Sequence, residues 1–510
     1  MKTDVLIIGA GAAGLMTALA LAPRKVTVLS GTPLGQSCSS VLAQGGLAAA
    51  VDREDSPAAH TADTLKAAAG TADAAAVAAL TGDAPDAVAL LAALGVRFDR
   101  DDNGDFKLNR EACHGRRRVL KARAGDGFGA ELMRALVVAV KNTPSVTVLE
   151  NVSAERLLVD RKRVAGAMTD AGAITANAVV LATGGLGGLY AATTNPLQSV
   201  GRGLALAAKA GALLSDLEFV QFHPTALDLG LDPAPLATEA LRGDGALLLN
   251  SRGERFMTNY HPMGELAPRD VVSRAIFSEM QRGQKVYLDC RALDTTHFPA
   301  LRDACAKASI DPQHSLVPVF PVTHYHMGGV ATDLNGRTSL RGLWAAGETA
   351  ATGLHGANRL ASNSLMEAVV MARRVAADIA KQKYIIPRSI ESAPLAQTRI
   401  LPAAREHLRH IMTERFGVAR DGEIMREGLR AIAAIENMAG EDARLADMAL
   451  VARMIAVSAL MRTESRGAHF RADYPQPSRA WAKRSFVTLR DIDALTDKYL
   501  EPVKQKAGAA

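Results

Sequence analysis

The first residues whose spacing suits chemistry are three glycines near the start of the chain, Gly9, Gly11 and Gly14. In a Gly-x-Gly-x-x-Gly turn, the first glycine makes the tight turn and the second lets a pyrophosphate approach the backbone. The third lets a helix pack against the preceding strand, and the unpaired N–H groups of that helix face the phosphates. The whole turn predicts dinucleotide binding by Gly9, Ala10, Gly11, Ala12, Ala13 and Gly14.

One position departs from the pattern of NAD-binding turns. An acidic residue about 20 positions further on usually bonds the ribose hydroxyls. Ser30 stands at that position here. A serine hydroxyl holds a ribose less firmly than a carboxylate does, so this unit alone leaves the identity of the dinucleotide open.

The elements that must position the turn are short and apolar. Val5–Ile8 is typical of a buried strand, Leu15–Ala22 of a helix, and Val26–Leu29 of a second strand, which together predict a βαβ unit. A further buried strand at Ala178–Leu181 runs into Thr183 and Gly184. It would extend the same parallel sheet and place those two residues at the ligand edge.

Later segments repeat this organisation. Leu343–Ala346 indicates another strand, which ends at Gly347-Glu348. A helix over about 364–382 can be capped by Ser362 or Asn363, and its positive end would point at whatever the glycine loops hold.

The middle of the chain changes in character, with more prolines, histidines and polar loops. We interpret it as a domain inserted into the first one, because strand signals resume after it. The predicted fold is α/β: a Rossmann-like dinucleotide-binding domain, an inserted α+β capping domain and a C-terminal helical domain. The predicted boundaries are 1–216 and 328–395 for the binding domain, 217–327 for the capping domain and 396–510 for the helical domain.

Composition excludes several classes of protein. The net charge of +6 over 510 residues is spread thinly, without the clustered cations and aromatic platforms of a nucleic-acid site. The four cysteines lack metal-ligand spacing, which favours reduced thiols, no metal and a cytoplasmic protein. No apolar run reaches about 18 residues and the first strand starts too early for a signal peptide, so we expect no membrane span.

The order of these stretches resembles the flavoprotein family of succinate dehydrogenase, fumarate reductase and L-aspartate oxidase. The resemblance covers nearly the whole chain. The motifs that carry it, besides the glycine turn, are Ala43-Gln44-Gly45-Gly46, Ala182-Thr183-Gly184-Gly185, Gln221-Phe222-His223-Pro224-Thr225, Ala346-Gly347-Glu348, Gly356-Ala357-Asn358-Arg359-Leu360 and Glu464-Ser465-Arg466-Gly467-Ala468-His469.

The resemblance implies FAD as the cofactor, with Glu348 at or near the adenosine ribose and Ser364-Leu365 near the flavin ring. A helix N-terminus there can stabilise the anionic N1–C2=O end of reduced flavin. Beyond the turn, the residues it implies for the cofactor are Ser30, Ser39, Ser40, Ala43, Gln44, Gly45, Gly46, Thr183, Gly184, Glu348, Asn363, Ser364 and Leu365.

Two positions differ from family members. Where succinate dehydrogenases attach flavin covalently through a histidine, this chain has Ser39, so the resemblance implies non-covalent FAD. The usual Gly-Asp-Gly after the last turn of the first domain is Gly201-Arg202-Gly203, which puts that flavin contact in doubt.

The amino-acid oxidising branch of the family is similar in its loops. They are Arg110-Glu111, His114-Gly115-Arg116-Arg117, Gly353–Arg359 and Asp473-Tyr474-Pro475. They imply oxidation of L-aspartate to iminoaspartate, with oxygen or fumarate as acceptor, which would feed quinolinate and NAD synthesis. The partners implied are L-aspartate, related C4 dicarboxylates and quinolinate synthase.

The resemblance also implies a substrate site built from Arg359, His223, His324, Thr238 and Gln221. Arg359 suits a bidentate carboxylate contact, and His223, His324 and Thr238 would hold the other carboxylate.

The remaining implied residues handle the proton and the ammonium. Arg269 matches the arginine that handles the proton, although its ordinary pKa above about 12 leaves a purely electrostatic role open. Glu239 and Arg242 would assist it or merely form an ion pair, and Glu111 would recognise the substrate ammonium.

Three other functions stay open at this stage. A soluble fumarate reductase is one, and hydrogen peroxide formed from L-aspartate would separate it. A membrane-docked electron-transfer subunit is another, which would need covalent flavin and an apolar docking face. A flavin-binding protein without dicarboxylate chemistry is the third, and its flavin would not bleach with L-aspartate.

Overall fold

The computed structural model describes residues 1–122, 126–382, 400–440 and 442–501. Its strands are β1 (Lys2–Ile8), β2 (Val26–Ser30), β3 (Leu47–Ala48), β4 (Leu108–Asn109), β5 (Val119–Leu120), β6 (Val146–Glu150), β7 (Ala154–Asp160), β8 (Arg163–Thr169), β9 (Gly172–Leu181), β10 (Leu214–Ser215), β11 (Val220–Leu227), β12 (Leu247–Asn250), β13 (Val286–Asp289), β14 (Val317–His326), β15 (Gly329–Ala331), β16 (Leu343–Ala345), β17 (Ala350–Ala351) and β18 (Phe486–Val487). Its helices are α1 (Ala12–Ala20), α2 (Ser39–Leu42), α3 (Pro57–Ala67), α4 (Ala74–Ala93), α5 (Phe128–Lys141), α6 (Arg202–Lys209), α7 (Glu239–Gly243), α8 (Arg269–Gln281), α9 (Pro299–Lys307), α10 (Asn363–Ala380), α11 (Pro402–Arg415), α12 (Gly422–Ala439), α13 (Ala443–Met461) and α14 (Leu489–Leu500).

A seven-stranded sheet organises the first part of the chain, in the order β6-β2-β1-β9-β8-β7 with β16 also paired to β9. β6, β2, β1, β9 and β16 pair in parallel, whereas β7 and β8 are antiparallel. The βαβ unit and the strand that extends it are therefore confirmed. Because parallel strands end at one edge, the loops after β1, β2 and β9 meet there.

Helices cover both faces of this sheet. α1, α4, α5 and α10 contribute to the apolar core on one face, and α6 and α11–α13 contribute to the core on the other. β2 and β16 are consequently buried throughout and β1 and β9 over most of their length, as parallel sheets require, whereas β6 at the edge of the sheet is only partly buried. The predicted fold class is confirmed.

A second, antiparallel sheet of four strands lies within the segment predicted as the capping domain, in the order β11-β14-β13-β12. α8 packs on β11 and β14, and its Ser273 hydroxyl donates to the carbonyl of Phe222 at 2.9 Å. The short helices α7 and α9 complete this layer around a separate apolar core. The predicted boundary between 395 and 396 lies outside the described residues.

The C-terminal helices are fastened to the middle of the chain by buried charges. Arg462, at the end of α13, donates to Glu464 at 2.9 Å and to the Glu218 carboxylate, and the side chains of all three are fully buried. A buried arginine satisfied by two carboxylates fixes geometry strongly, because removing one partner would leave an uncompensated charge.

Helix α4 is long and apolar enough to cross a membrane by length and composition, with a mean hydropathy of 1.4 over its best window. It nevertheless carries Asp83 and Asp86, and Asp83 pairs with Arg374 of α10 at 2.8 Å. Its residues Val77, Leu80, Ala84 and Val88 are buried in the core against the main sheet. A helix buried in a protein core can meet the same criteria of length and composition as a helix that crosses a membrane.

Candidate active site

A cavity of about 860 Å³ lies where the carboxyl ends of β1, β2 and β9 meet the antiparallel sheet. One part is lined by the glycine turn and the loops after the parallel strands. The other part is lined by polar side chains from the second sheet and from the loop before α10. The cavity brings together nearly all of the residues predicted for cofactor and substrate.

The glycine turn fits a pyrophosphate closely. Gly9 has φ +115°, and a Cβ there would collide with the carbonyl of Ala182. A Cβ on Gly14 would collide with the carbonyl of Gly9, so Gly14 serves helix packing and does not line the cavity. Gly11 caps α1 without a side chain, so the start of this helix faces the cavity through bare backbone.

The loop from Ser39 to Gly46 folds over the same end of the cavity. The Ser40 hydroxyl accepts the N–H of Ala12 at 3.1 Å, and the Ser39 hydroxyl donates to Asn195 at 3.1 Å. The Gln44 side-chain oxygen is buried without a donor among the described residues. An unsatisfied buried acceptor in the same cavity as a phosphate-type turn fits a cofactor that brings a hydrogen-bond donor, and FAD suits these residues.

Helix α10 begins at the cavity, but not in the way the sequence predicted. Its N-cap, Ser362, has φ +62° and makes no side-chain cap. Asn363 is turned away, because its amide bonds His60 at 2.8 Å and Thr64 at 3.1 Å. Side-chain capping by either residue is therefore wrong, and the Asn363 side chain does not line the cavity, whereas Ser364 and Leu365 do.

Ser30 lines the cavity, but its hydroxyl donates to the carbonyl of Thr32 at 2.6 Å within its own loop. The Ser30 hydroxyl proton is therefore already bonded within its own loop and is not directed at a ribose. Glu348 also lines the cavity and accepts the N–H of His326 at 2.9 Å. Burial raises the pKa of Glu348 to about 7.

The two histidines at the other end of the cavity are close together, with ring centroids 5.1 Å apart. Burial and then Arg269 lower the pKa of His223 well below its usual range, and burial and Arg359 do the same for His324. Nδ1 of His223 accepts the N–H of Thr225 at 3.2 Å, so the neutral ring carries its proton on Nε2. That Nε2 is buried and has no acceptor among the described residues.

Arg359 lies beside these histidines, with its guanidinium carbon 4.5 Å from the ring centroid of Tyr325. Its Nη1 donates to Ser364 at 3.0 Å, while its buried Nε has no acceptor within the described part of the chain. Burial and the neighbouring Arg269 lower the pKa of Arg359 to about 10, so it stays charged at neutral pH.

Arg269, the first residue of α8, donates from Nε to Glu239, which begins α7. Burial would raise the pKa of Glu239, but Arg269 and Arg242 together lower it below its usual range. Arg242 is fully buried, 3.8 Å from Glu239, and burial lowers its pKa. Gln221 does not line the cavity, because its amide is bonded to Asn358 and to the carbonyl of Arg359, both at 2.9 Å.

Glu111 and Thr238 complete this end of the cavity. Glu111 is 3% exposed, and its carboxylate accepts the Ser362 hydroxyl at 2.7 Å. It forms no ion pair with the described arginines and lysines. Thr238 is buried at the start of α7 and makes no side-chain cap.

Two cavity residues escaped sequence reasoning. Tyr325 places its ring against Arg359, and its hydroxyl donates to Glu367 at 3.2 Å. Asn195 fixes the strand that carries His324 by donating to its carbonyl at 2.9 Å. The position of Tyr325 directly after His324 was the only local signal. In the described part of the chain, no group of three or more His, Cys, Asp or Glu could hold a metal ion.

Comparison with known proteins agrees with this geometry. Residues 4–365 match the FAD binding domain family, and residues 437–507 match the fumarate reductase flavoprotein C-term family. An L-aspartate oxidase of Caulobacter vibrioides is 50% identical over 95% of this chain and 95% of its own length. One of Agrobacterium fabrum is 48% identical over 99% of this chain and 97% of its own. A variant of E. coli quinol fumarate reductase superimposes with a TM-score of 0.88 at 29% identity, covering 96% of this chain and 94% of that one.

Proposed function

The chain belongs to the FAD-binding flavoprotein family that includes fumarate reductases and L-aspartate oxidases, and we propose that it oxidises L-aspartate to iminoaspartate. FAD is its redox cofactor. One observation supports binding of the substrate at the end of the cavity that holds the two histidines. Arg359 and His223 line this end, and their buried donors, Nε of Arg359 and Nε2 of His223, have no acceptor among the described residues. Unsatisfied buried donors are costly, so they indicate an anionic ligand between them.

A C4 dicarboxylate supplies the two acceptors. We infer that Arg359 holds one carboxylate with its planar guanidinium, which can bind both oxygens. His223 and His324, with the Thr238 hydroxyl, hold the other. Because both histidines are neutral, they contribute hydrogen bonds and not charge.

Oxidation at Cα removes a hydride from carbon and a proton from the substrate ammonium. When bound, FAD supplies the hydride acceptor. Arg269 and Glu239, paired and nearly enclosed, are the groups that can hold or pass the proton. Arg269 and Arg242 together keep Glu239 ionised, so the pair remains charged inside the site.

The function is tested by anaerobic titration with L-aspartate, followed at the flavin absorbance. The flavin should bleach, and readmitted oxygen should restore the colour with formation of hydrogen peroxide. Failure to bleach with L-aspartate would refute the proposal. Bleaching without peroxide, and reoxidation by fumarate alone, would favour the fumarate-reductase alternative.

Glu111 should decide between an amino acid and a plain dicarboxylate. Its buried carboxylate has a hydroxyl partner but no ion pair among the described residues, which suits the ammonium of L-aspartate. We expect Glu111→Gln to lower kcat/KM for L-aspartate about 100-fold, since a buried charge pair would be lost. Affinity for succinate, which has no ammonium, should be unchanged or improved, and an equal loss for both ligands would contradict this role.

The same proposal includes oxygen as the electron acceptor, hand-over of the product to quinolinate synthase and a cytoplasmic location. The chemistry of the product supports the hand-over, because an imine hydrolyses in water and direct transfer to a consuming enzyme would limit its loss. The residue roles and the domain boundaries given above are likewise part of the proposal.

A further inference from the structure

Arg202, which lies between Gly201 and Gly203, is close to two acidic side chains. It begins α6, and its Nη2 lies 2.6 Å from Glu155, while its Nε is 3.9 Å from Asp447. That Nε is buried without an acceptor among the described residues. Arg202 also lines the large cavity.

A second arginine lines the same cavity from the C-terminal helices. Arg444 is in the first turn of α13. Burial, then Arg405 and Arg202, lower the pKa of Arg444. Asp442, the carboxylate that acts to raise the pKa of Arg444, is already bonded to Arg405 at 2.6 Å, and the described residues give Arg444 no ion pair.

These arginines lie at the adenosine end of the cavity. Glu155, the partner of Arg202, directly follows Val152–Ala154, which line the cavity beside the end of β2. The N–H of Val152 donates to the carbonyl of Ser30 at 3.0 Å, which ties that loop to the end of β2. In dinucleotide-binding folds the end of the second strand faces the adenosine ribose.

We propose that Arg444 and Arg202 bind the adenosine half of FAD, so that α13 closes this end of the cofactor cavity. A guanidinium offers two suitable interactions: its plane stacks on an adenine face, and its N–H groups donate to ring nitrogens. The half-buried Arg444 guanidinium, close to other cations, gains from such a contact because the described residues give it no acceptor. The inference rests on the FAD binding described above and assigns it two residues of this chain.

The test uses full-length apoprotein titrated with FAD, followed by quenching of flavin fluorescence, with ADP as a competitor that carries only the adenosine half. We expect Arg444→Ala to raise the Kd for FAD roughly fivefold to tenfold, the usual range for one stacked cation. The affinity for ADP should fall by the same factor, and Arg444→Lys should give an intermediate loss. Arg453→Ala on the same helix, whose guanidinium pairs with Glu436 and Asp493 at 2.8 and 2.7 Å, should change neither affinity.

An FAD affinity within twofold of wild type in Arg444→Ala would overturn the inference. So would a loss of FAD affinity with ADP affinity unchanged, since the contact would then lie elsewhere on the cofactor. A loss shared by Arg453→Ala would show a structural effect of α13 and would equally overturn it. Bleaching of Arg453→Ala by L-aspartate at saturating FAD reports separately on the proposed function and should match wild type.

Discussion

The Arg359→Leu variant should lose L-aspartate affinity by about 1,000-fold while it retains FAD. Truncating one member of a buried, hydrogen-bonded charge pair costs about 2–5 kcal/mol of binding free energy. A 1,000-fold rise in Kd corresponds to about 4.1 kcal/mol, which lies within that range. Arg359 is 4% exposed, so water could not replace it beside the substrate carboxylate. Anaerobic titration at the flavin absorbance gives the Kd for L-aspartate, and the visible spectrum of the purified protein gives its FAD content.

Two further variants separate this role from a general effect on folding. Arg359→Lys keeps the positive charge but cannot bind both carboxylate oxygens, so it should recover only part of the affinity. Arg409→Leu removes a comparably buried arginine, one that bonds Asp232 at 2.8 Å, and should leave L-aspartate affinity near wild type. If Arg359→Leu binds L-aspartate within threefold of wild type, Arg359 does not belong to the substrate site.

The second large effect is expected in Arg269→Met. We expect the rate of flavin reduction by L-aspartate to fall about 1,000-fold, within the range for loss of a positioned proton-transfer group. The reason is the pairing with Glu239: without Arg269, burial would raise the pKa of Glu239 and weaken the charge that this pair maintains in the site. Anaerobic stopped-flow at saturating L-aspartate measures this rate, and KM should rise far less than the rate falls.

Helix α8 provides a matched control. Arg274→Met removes an arginine of the same helix that pairs with Asp270 at 2.9 Å, outside the cavity lining, and should leave flavin reduction unchanged. Glu239→Gln tests the pair from its other side and should slow reduction as well. A fall of less than fivefold in Arg269→Met would leave Arg269 with no more than an electrostatic role in binding.

Local sequence determined the architecture of the cofactor half. Short apolar runs identified β1, β2 and β9, because a parallel sheet covered on both faces requires continuous buried residues. The glycines at 9 and 14 were identifiable for a steric reason: the structure leaves no room for a Cβ at either one. These properties depend on residues that are adjacent in the sequence, so the sequence is sufficient to predict them.

The substrate half needed the tertiary structure. Glu111 and Ser362 bond across 251 positions, and no local pattern encodes that contact. Gln221 and Asn363 have the right type for a site, yet each side chain is already bonded to other protein groups. Ser30 lies at the cavity but uses its hydroxyl within its own loop.

The sequence by itself thus determined the βαβ unit, the phosphate-type turn and the set of charged residues available for a C4 acid. Only the tertiary structure decided which buried donors lack acceptors among the described residues, Nε of Arg359 and Nε2 of His223 among them, and that Arg444 reaches the cofactor cavity from the C-terminal helices. The physical reason is that hydrogen-bond satisfaction is a property of the whole three-dimensional neighbourhood of an atom. Residue types show what a group can bind, and packing decides what is left for it to bind.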